Sequence, residues 1–243
     1  MGAAVGRLLS GRGETVLWAS AGRSASTAGR AQAAGLEDAG DTGEVCRRSE
    51  ILLSICPPHA ALDVAREAGG FTGIYVDANA IAPDTAREVG ALQPRLVDGG
   101  IVGPPPTGPG TTRLYLSGRE RAAVAALFSG TNLDARAISD EVGAASALKA
   151  AYAGWTKGSA ALLLTVRELA RAEGVEEALL EEWRLSIPEL EERLAGAERS
   201  ARGKGWRWIG EMEEIAHSMA AQDLPAGFHQ AAAEVFRRAA EES

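Results

Sequence analysis

The sequence predicts an α/β chain in which a doubly wound parallel sheet, lacking its first strand, is followed by an all-helical C-terminal domain. Three observations predict it. From residue 14 to about 138, short β-rich apolar runs alternate with helical patterns, the sequence form of βαβ units. After Ser139 the strand signals stop, and Ala-, Leu- and Glu-rich helical periodicity runs almost to the end. The chain also opens on Met1-Gly2-Ala3-Ala4-Val5-Gly6-Arg7-Leu8-Leu9, which reads as a helix already under way.

The strands expected in order are Thr15–Ala19, Ile51–Cys56, Ile74–Asp77, Arg95–Asp98, Arg113–Ser117 and Leu133–Ile138. Several are nearly all apolar, as a sheet covered on both faces requires. Helices are expected between them at Ala25–Ala34, Ala60–Ala68, Asp84–Leu92 and Glu120–Phe128. This gives a nucleotide-binding region over 1–140 and a helical region over 141–243. In the second, Ala144–Glu173 reads as one long central helix, in which the small residues Gly154 and Gly158 suit close packing against a neighbour. The later breaks fall at Gly174, Pro188, Gly203–Gly205 and Leu224–Pro225.

Composition narrows the partners. A net charge of −8 with no basic run argues against a nucleic-acid or anionic-membrane surface. No apolar stretch approaches the roughly 20 residues of a membrane helix, and no signal peptide opens the chain. Cys46 and Cys56 have no metal or disulfide spacing, so both are expected to be free thiols in a reducing, cytoplasmic compartment. No metal site is expected.

A doubly wound dinucleotide fold begins with a buried strand and then G-x-G-x-x-G entering a helix whose N-terminus faces the pyrophosphate. Here Thr15–Ala19 follows Gly11 and Gly13 as the second strand of such a fold would, which makes Gly2 the last glycine of the fingerprint. The alternative is an unrelated α/β protein that begins with a short helix. Losing a central strand would leave neighbouring backbone groups unpaired. The first reading therefore carries the expectation that the start lies upstream or that the product is a damaged enzyme.

Three blocks then resemble one family: Val76-Asp77-Ala78-Asn79-Ala80-Ile81-Ala82-Pro83, Gly143-Ala144-Ala145-Ser146-Ala147-Leu148-Lys149, and Trp206-Arg207-Trp208-Ile209-Gly210-Glu211-Met212-Glu213-Glu214-Ile215-Ala216. They are similar to the 6-phosphogluconate dehydrogenase and 3-hydroxyisobutyrate dehydrogenase superfamily, which includes imine reductases. Most specific is a phosphogluconate dehydrogenase-like subgroup with its own C-terminal domain. The resemblance covers nearly the whole chain and implies a Rossmann domain, a helical domain that pairs in a homodimer, and a nicotinamide held between them.

Each block has its own chemistry. Arg23 and Ser24 lie about 21 residues beyond Gly2, where an acid would hold an NAD ribose. Arg and Ser instead suit the 2′-phosphate, so NADP is expected in preference to NAD. Cys56 and Pro57 end a strand at the ligand edge of the sheet, and the resemblance places their loop beside the cofactor. His59 is either a proton donor or a structural residue. Asn79 is placed to bond the nicotinamide ribose or carboxamide, or else to form a turn. Lys149 falls on the family's general acid/base, with Tyr152 three residues on along the same helix face.

Departures matter as much. Where hydroxyacid members carry a substrate-binding Ser this chain has Val102. The family's Asn falls on Ala153, and a late Lys-Asp pair on Glu211-Met212. A less polar or cationic substrate becomes the expectation, with Glu211 and Glu214 beside Trp206 and Trp208 as a pocket for an amine. His217 and His229 receive no role. The expected activity is hydride transfer between NADP and a small alcohol, carbonyl or imine substrate. The alternative is a catalytically silent dimeric scaffold.

Overall fold

In a computed structural model, which describes residues 1–241, the chain opens on helix α1 (Gly2–Ser10), whose Val5 and Leu9 are buried against the main sheet. Strand β1 (Leu17–Trp18), helix α2 (Ala25–Ala33), strand β2 (Glu37–Asp38) and helix α3 (Thr42–Arg48) follow. Then come β3 (Ile51–Ser54), a 3₁₀ turn at Pro58–Ala60, α4 (Ala61–Glu67), β4 (Ile74–Asp77), α5 (Pro83–Leu92), β5 (Leu96–Val102), β6 (Thr112–Ser117), α6 (Arg121–Leu127) and β7 (Leu133–Ser139). Four helices complete the chain: α7 (Ala144–Ala172), α8 (Glu176–Ser186), α9 (Glu189–Ala220) and α10 (Gly227–Glu241).

β1 pairs with β2 in a two-stranded parallel sheet, and β3 to β7 form a second sheet in sequence order. Among the described residues no strand links the two. β3, β4 and β5 run parallel, as expected of a doubly wound sheet; β6 is antiparallel to β5 and parallel to β7. The connection over 103–111 explains the reversal. A parallel return needs a crossover of about a dozen residues or more, usually with a helix, and this one is a short Gly/Pro-rich loop. β5 also runs to Val102 rather than stopping at Asp98, and all seven of its residues are buried.

β2 and α3 were not expected. The two residues of β2 are both exposed acids, and α3 buries none of its seven, so neither carries an apolar period. α3 is instead set by its cap, in which the Asp41 side chain accepts from the Glu44 amide.

The contact pattern divides the chain into Met1–Lys149 and Ala150–Ser243. The division falls inside α7, not at the strand-to-helix junction near residue 140. Hydrogen bonds from the sheet claim the first turn of that helix, as described below. In the first unit, apolar side chains cover both faces of the sheet, around Val76, Val97, Leu114 and Leu116 on one and Leu52, Tyr75 and Leu96 on the other.

The second unit has a core of small and large residues from three helices, among them Ala153, Ala161, Met212, Ile215 and Phe236. Met212 and Phe236 are wholly buried, each stabilising by roughly 1.5–3 kcal/mol. The Gly154 and Gly158 gaps on α7 receive His229 of α10. A Cβ on either glycine would lie 3.1 or 3.3 Å from its Nε2. That nitrogen is 3.3 Å from the Gly154 carbonyl. Among the described residues no helix is long and apolar enough to cross a membrane.

Candidate active site

Side chains on one face of a sheet recur at every second residue. On the face that carries Leu52, Tyr75 and Leu96, the next position along is polar on four adjacent strands. Ser54, Asp77, Asp98 and Ser117 are successive cross-strand partners from β3 to β6. None is more than 3% exposed. A buried polar group is costly unless bonded, so the partners of this row define what it does.

The β3–β4 half of the row holds a loop. Asp77 accepts from the backbone amide of Asn79 at 3.0 Å and from its Nδ2 at 2.9 Å. Asn79 Nδ2 also donates to Ser54 Oγ at 3.0 Å, and Oδ1 accepts from the Cys56 amide at 2.6 Å. Every polar atom of the Asn79 amide is thereby engaged, and the residue acts as a tie between the exits of β3 and β4. Burial pushes the Asp77 carboxyl up to about 6, against the bonds from Asn79 and with a further push from the charge of Asp98. Burial likewise raises the Cys56 thiol, opposed by Ser54 and by the charge of Arg23.

Gly2 sits beside that loop, since a Cβ added to it would lie 3.8 Å from Ile55 Cβ. The first turn of α1 carries no acidic side chain. Pro57 is exposed and leads into the 3₁₀ turn, where His59 is also exposed.

Arg23 lines a cleft of about 530 Å³ with Gly22, Asp41, Asp63 and Glu67. The three carboxylates have other partners: Asp41 caps α3, Asp63 pairs with Arg66 at 2.8 Å, and Glu67 accepts from Thr42 at 3.3 Å. Ser24 caps α2, accepting from the Thr27 amide at 3.3 Å. The structure therefore brings Gly2, Cys56 and Asn79 to one edge, with Pro57 next in the chain and Arg23 on the cleft that Ala60 also lines.

The β5–β6 half of the row holds α7. Asp98 Oδ2 accepts from Ser117 Oγ at 2.9 Å and from the amides of Gly143 and Ser146, each at 3.0 Å. Asp98 Oδ1 accepts from Ser146 Oγ at 2.6 Å, and Ser117 Oγ accepts from the Ala145 amide at 3.1 Å. Three of the orphan donors at the start of this helix are thus satisfied by the sheet. α7 lies so close to β5 that a Cβ on Gly100 would be 2.8 Å from the Ala145 carbonyl and 3.0 Å from Lys149 Cβ. Lys149 is partly buried there, on unit one's side of the division, while Tyr152 is half exposed on the next turn.

Sequence reasoning missed Asp98, Ser117 and Ser146. The signal was a lone charge followed by two glycines in the apolar run Leu96-Val97-Asp98-Gly99-Gly100-Ile101-Val102. A second signal is that only three of the 25 basic residues are lysines, which makes Lys149 an unusual choice in this chain.

The expected amine pocket is not formed. Glu211 pairs with Lys157, whose Nζ stands 5.3 Å from the Trp208 ring centroid, and Trp208 packs edge-on against Phe236 at 5.0 Å. Trp206 is exposed. The carboxylate is neutralised within the second unit.

A family model described as a domain of unknown function, DUF1932, matches residues 170–239, the region of α8 to α10. An uncharacterised 28.5 kDa protein of Methanothermus fervidus is 31% identical over 163 residues, which take in 66% of this chain and 63% of that protein. The conserved protein MTH1747, of unknown function and described as structurally similar to 3-hydroxyacid dehydrogenases, is 29% identical. It superposes with a TM-score of 0.73 over 98% of this chain and 93% of its own. A reductive aminase from Aspergillus terreus, solved with NADPH and ethyl-5-oxohexanoate, shares the fold at 20% identity and a TM-score of 0.59. That match covers 100% of this chain and 91% of the aminase.

Proposed function

We propose that the chain is a 3-hydroxyacid dehydrogenase-like protein and acts as a nicotinamide-dependent oxidoreductase on a small alcohol, carbonyl or imine. The observation that carries this reading is the seat of Lys149, whose Cβ lies 3.0 Å from where a Cβ on Gly100 of the central strand β5 would stand.

The residues present fit a dinucleotide. The N-terminus of α1, with no acid in its first turn, lies beside Ile55 and suits a pyrophosphate, and Gly2 adds no side chain there. Arg23, on the cleft beside Gly22, suits the 2′-phosphate of NADP over the bare ribose of NAD. Ser24 extends the same corner from the cap of α2, where helix-terminal N–H groups add to the attraction for phosphate. Cys56 and Pro57 form the wall toward the nicotinamide, and Asn79 fixes that wall through the Cys56 amide.

A nicotinamide bound there supplies or accepts the hydride. Lys149, as an ammonium, protonates the substrate oxygen or nitrogen in reduction; as a neutral amine it removes the hydroxyl proton in oxidation. Tyr152, one turn on, is the second proton-handling candidate. Val102 offers no hydrogen bond to a substrate carboxylate, which favours ketones and imines over hydroxyacids.

The chain pairs as a homodimer in this proposal. Tyr152, Trp155, Leu162 and Leu169 are exposed on α7 at three- and four-residue spacings closed by Ser159 and Val166. From 150 to 166 the sole charged residue is Lys157, which is turned to Glu211. An uncharged apolar stripe of this length suits a self-complementary contact. The free thiols Cys46 and Cys56 suit the cytoplasm, a placement checked by alkylating both in freshly lysed cells.

The test of function is NADPH oxidation by wild-type protein and by Lys149→Met against ketones, cyclic imines and 3-hydroxyacids with NADP. Turnover in the wild type and a loss of about a hundredfold or more in the variant are expected. Equal turnover by both removes Lys149 from the chemistry, and binding of neither nucleotide leaves the dimeric scaffold.

A further inference from the structure

We propose that Asp98 is the positioning residue for Lys149: its buried carboxylate anchors the first turn of α7 to the sheet and so fixes where the lysine stem stands over Gly100. This rests on the assignment of Lys149 as the proton donor and adds what holds it in place.

Asp98 has no solvent exposure and lies in the middle of the sheet, bonded to β4 on one side and β6 on the other. Its two oxygens accept four hydrogen bonds, three of them from Gly143 and Ser146 at the entry of α7. A carboxylate is an acceptor only, and at a helix N-terminus it meets both the orphan N–H groups and the positive end of the dipole. Those bonds are therefore charge-assisted, the Ser146 Oγ bond being the shortest at 2.6 Å, and they define the height and rotation of the turn.

Position along β5 follows from the two-residue repeat. Asp98 and Gly100 leave the same face, so the residue that anchors the helix is the same-face neighbour of the residue whose missing side chain admits it. Lys149 lies one turn beyond Ser146 on the same side of α7, and its Cβ would be 3.0 Å from a Cβ at Gly100. Loss of the anchor leaves the glycine notch but removes what presses the helix into it. A wholly structural buried carboxylate could have been replaced by an apolar pair, since burying charge gives weak stability in return. Here the carboxylate defines one helix entry.

The test uses the lysine content of the chain. Lys149, Lys157 and Lys204 are its three lysines, so acetylation by limiting acetic anhydride, read by peptide mass spectrometry, reports each against the other two. Asp98→Asn keeps the shape and removes the charge; Ser146→Ala removes one contact and serves if the first variant does not fold. In either, the labelling of Lys149 relative to Lys204 should rise at least about threefold, while Lys157 relative to Lys204 stays constant. Amide exchange should accelerate over residues 143–149 and not over the rest of α7. Unchanged labelling of Lys149 in the folded variants overturns the proposal. The catalytic assignment is tested separately by Lys149→Met turnover. If that variant is inactive, a second readout is kcat for Asp98→Asn, expected to fall by tenfold or more with the KM for NADPH within about twofold; an unchanged kcat also counts against positioning.

Discussion

Asp77 of β4 and Asp98 of β5 are in-register neighbours, both without solvent exposure, and their carboxylates leave the same face of the sheet. Each holds a different piece of the site: Asp77 the Asn79–Cys56 turn, Asp98 the entry of α7. Two adjacent buried carboxylates repel, and the arrangement persists because hydrogen-bond donors converge on both.

Asp77 gives a pH-dependent stability term. Burial holds its folded value at about 6, above the 3.8 of an ordinary aspartate. The native state therefore holds a proton that the unfolded chain has released between those values, and this group's contribution falls as pH rises from about 4 to about 6. The full cost above that window is on the order of 3 kcal/mol. Urea unfolding of wild type and Asp77→Asn at pH 4.5 and 8 should show the variant gaining relative to wild type at the higher pH. An identical difference at both values contradicts the assignment.

Gly100→Ala forces a methyl group against backbone and against the Lys149 stem. The expected cost is about 1–3 kcal/mol, read from denaturant midpoints at constant m-value. Gly108→Ala, in open space, should change stability little.

Lys157 and Glu211 are 14% and 13% exposed, well shielded from water. Glu211→Gln should destabilise the second unit by roughly 3 kcal/mol, because it removes the carboxylate that pairs with a shielded ammonium. The double variant Lys157→Met/Glu211→Leu should recover most of that loss in calorimetry.

Trp155→Glu and Leu162→Glu place charge in the apolar stripe of α7, where a twofold contact would bring like charges together. Wild type should elute as a dimer at micromolar concentration and both variants as monomers with unchanged helical circular dichroism. A monomeric wild type removes the dimer.

Much of the fold was legible because it rests on periodicity. The apolar runs at Ile74–Asp77 and Leu133, and the long period from Ala144, gave their elements within a few residues. β2 and α3 were not legible because neither buries a face, and the reversal at β6 depended on loop length rather than pattern. Of the site, spacing named Gly2 and Arg23 as cofactor residues, and the fold puts Gly2 beside Ile55 and Arg23 on a cleft. The Asp98 anchor did not, because its partners lie 19 to 48 residues away and only the folded sheet brings them into register. The pairing of Glu211 with Lys157 was hidden for the same reason: it spans 54 residues and joins two helices.

The central claim is that the first unit is a platform for a phosphorylated pyridine nucleotide. Fluorescence titration of NADPH and of NADH into the wild type and Arg23→Ala tests it most directly. The account predicts that NADPH binds the wild type at least about tenfold more tightly than NADH, and that the variant loses this preference, a difference of roughly 1.4 kcal/mol or more. Binding of neither nucleotide, or a preference that survives the loss of Arg23, would contradict it.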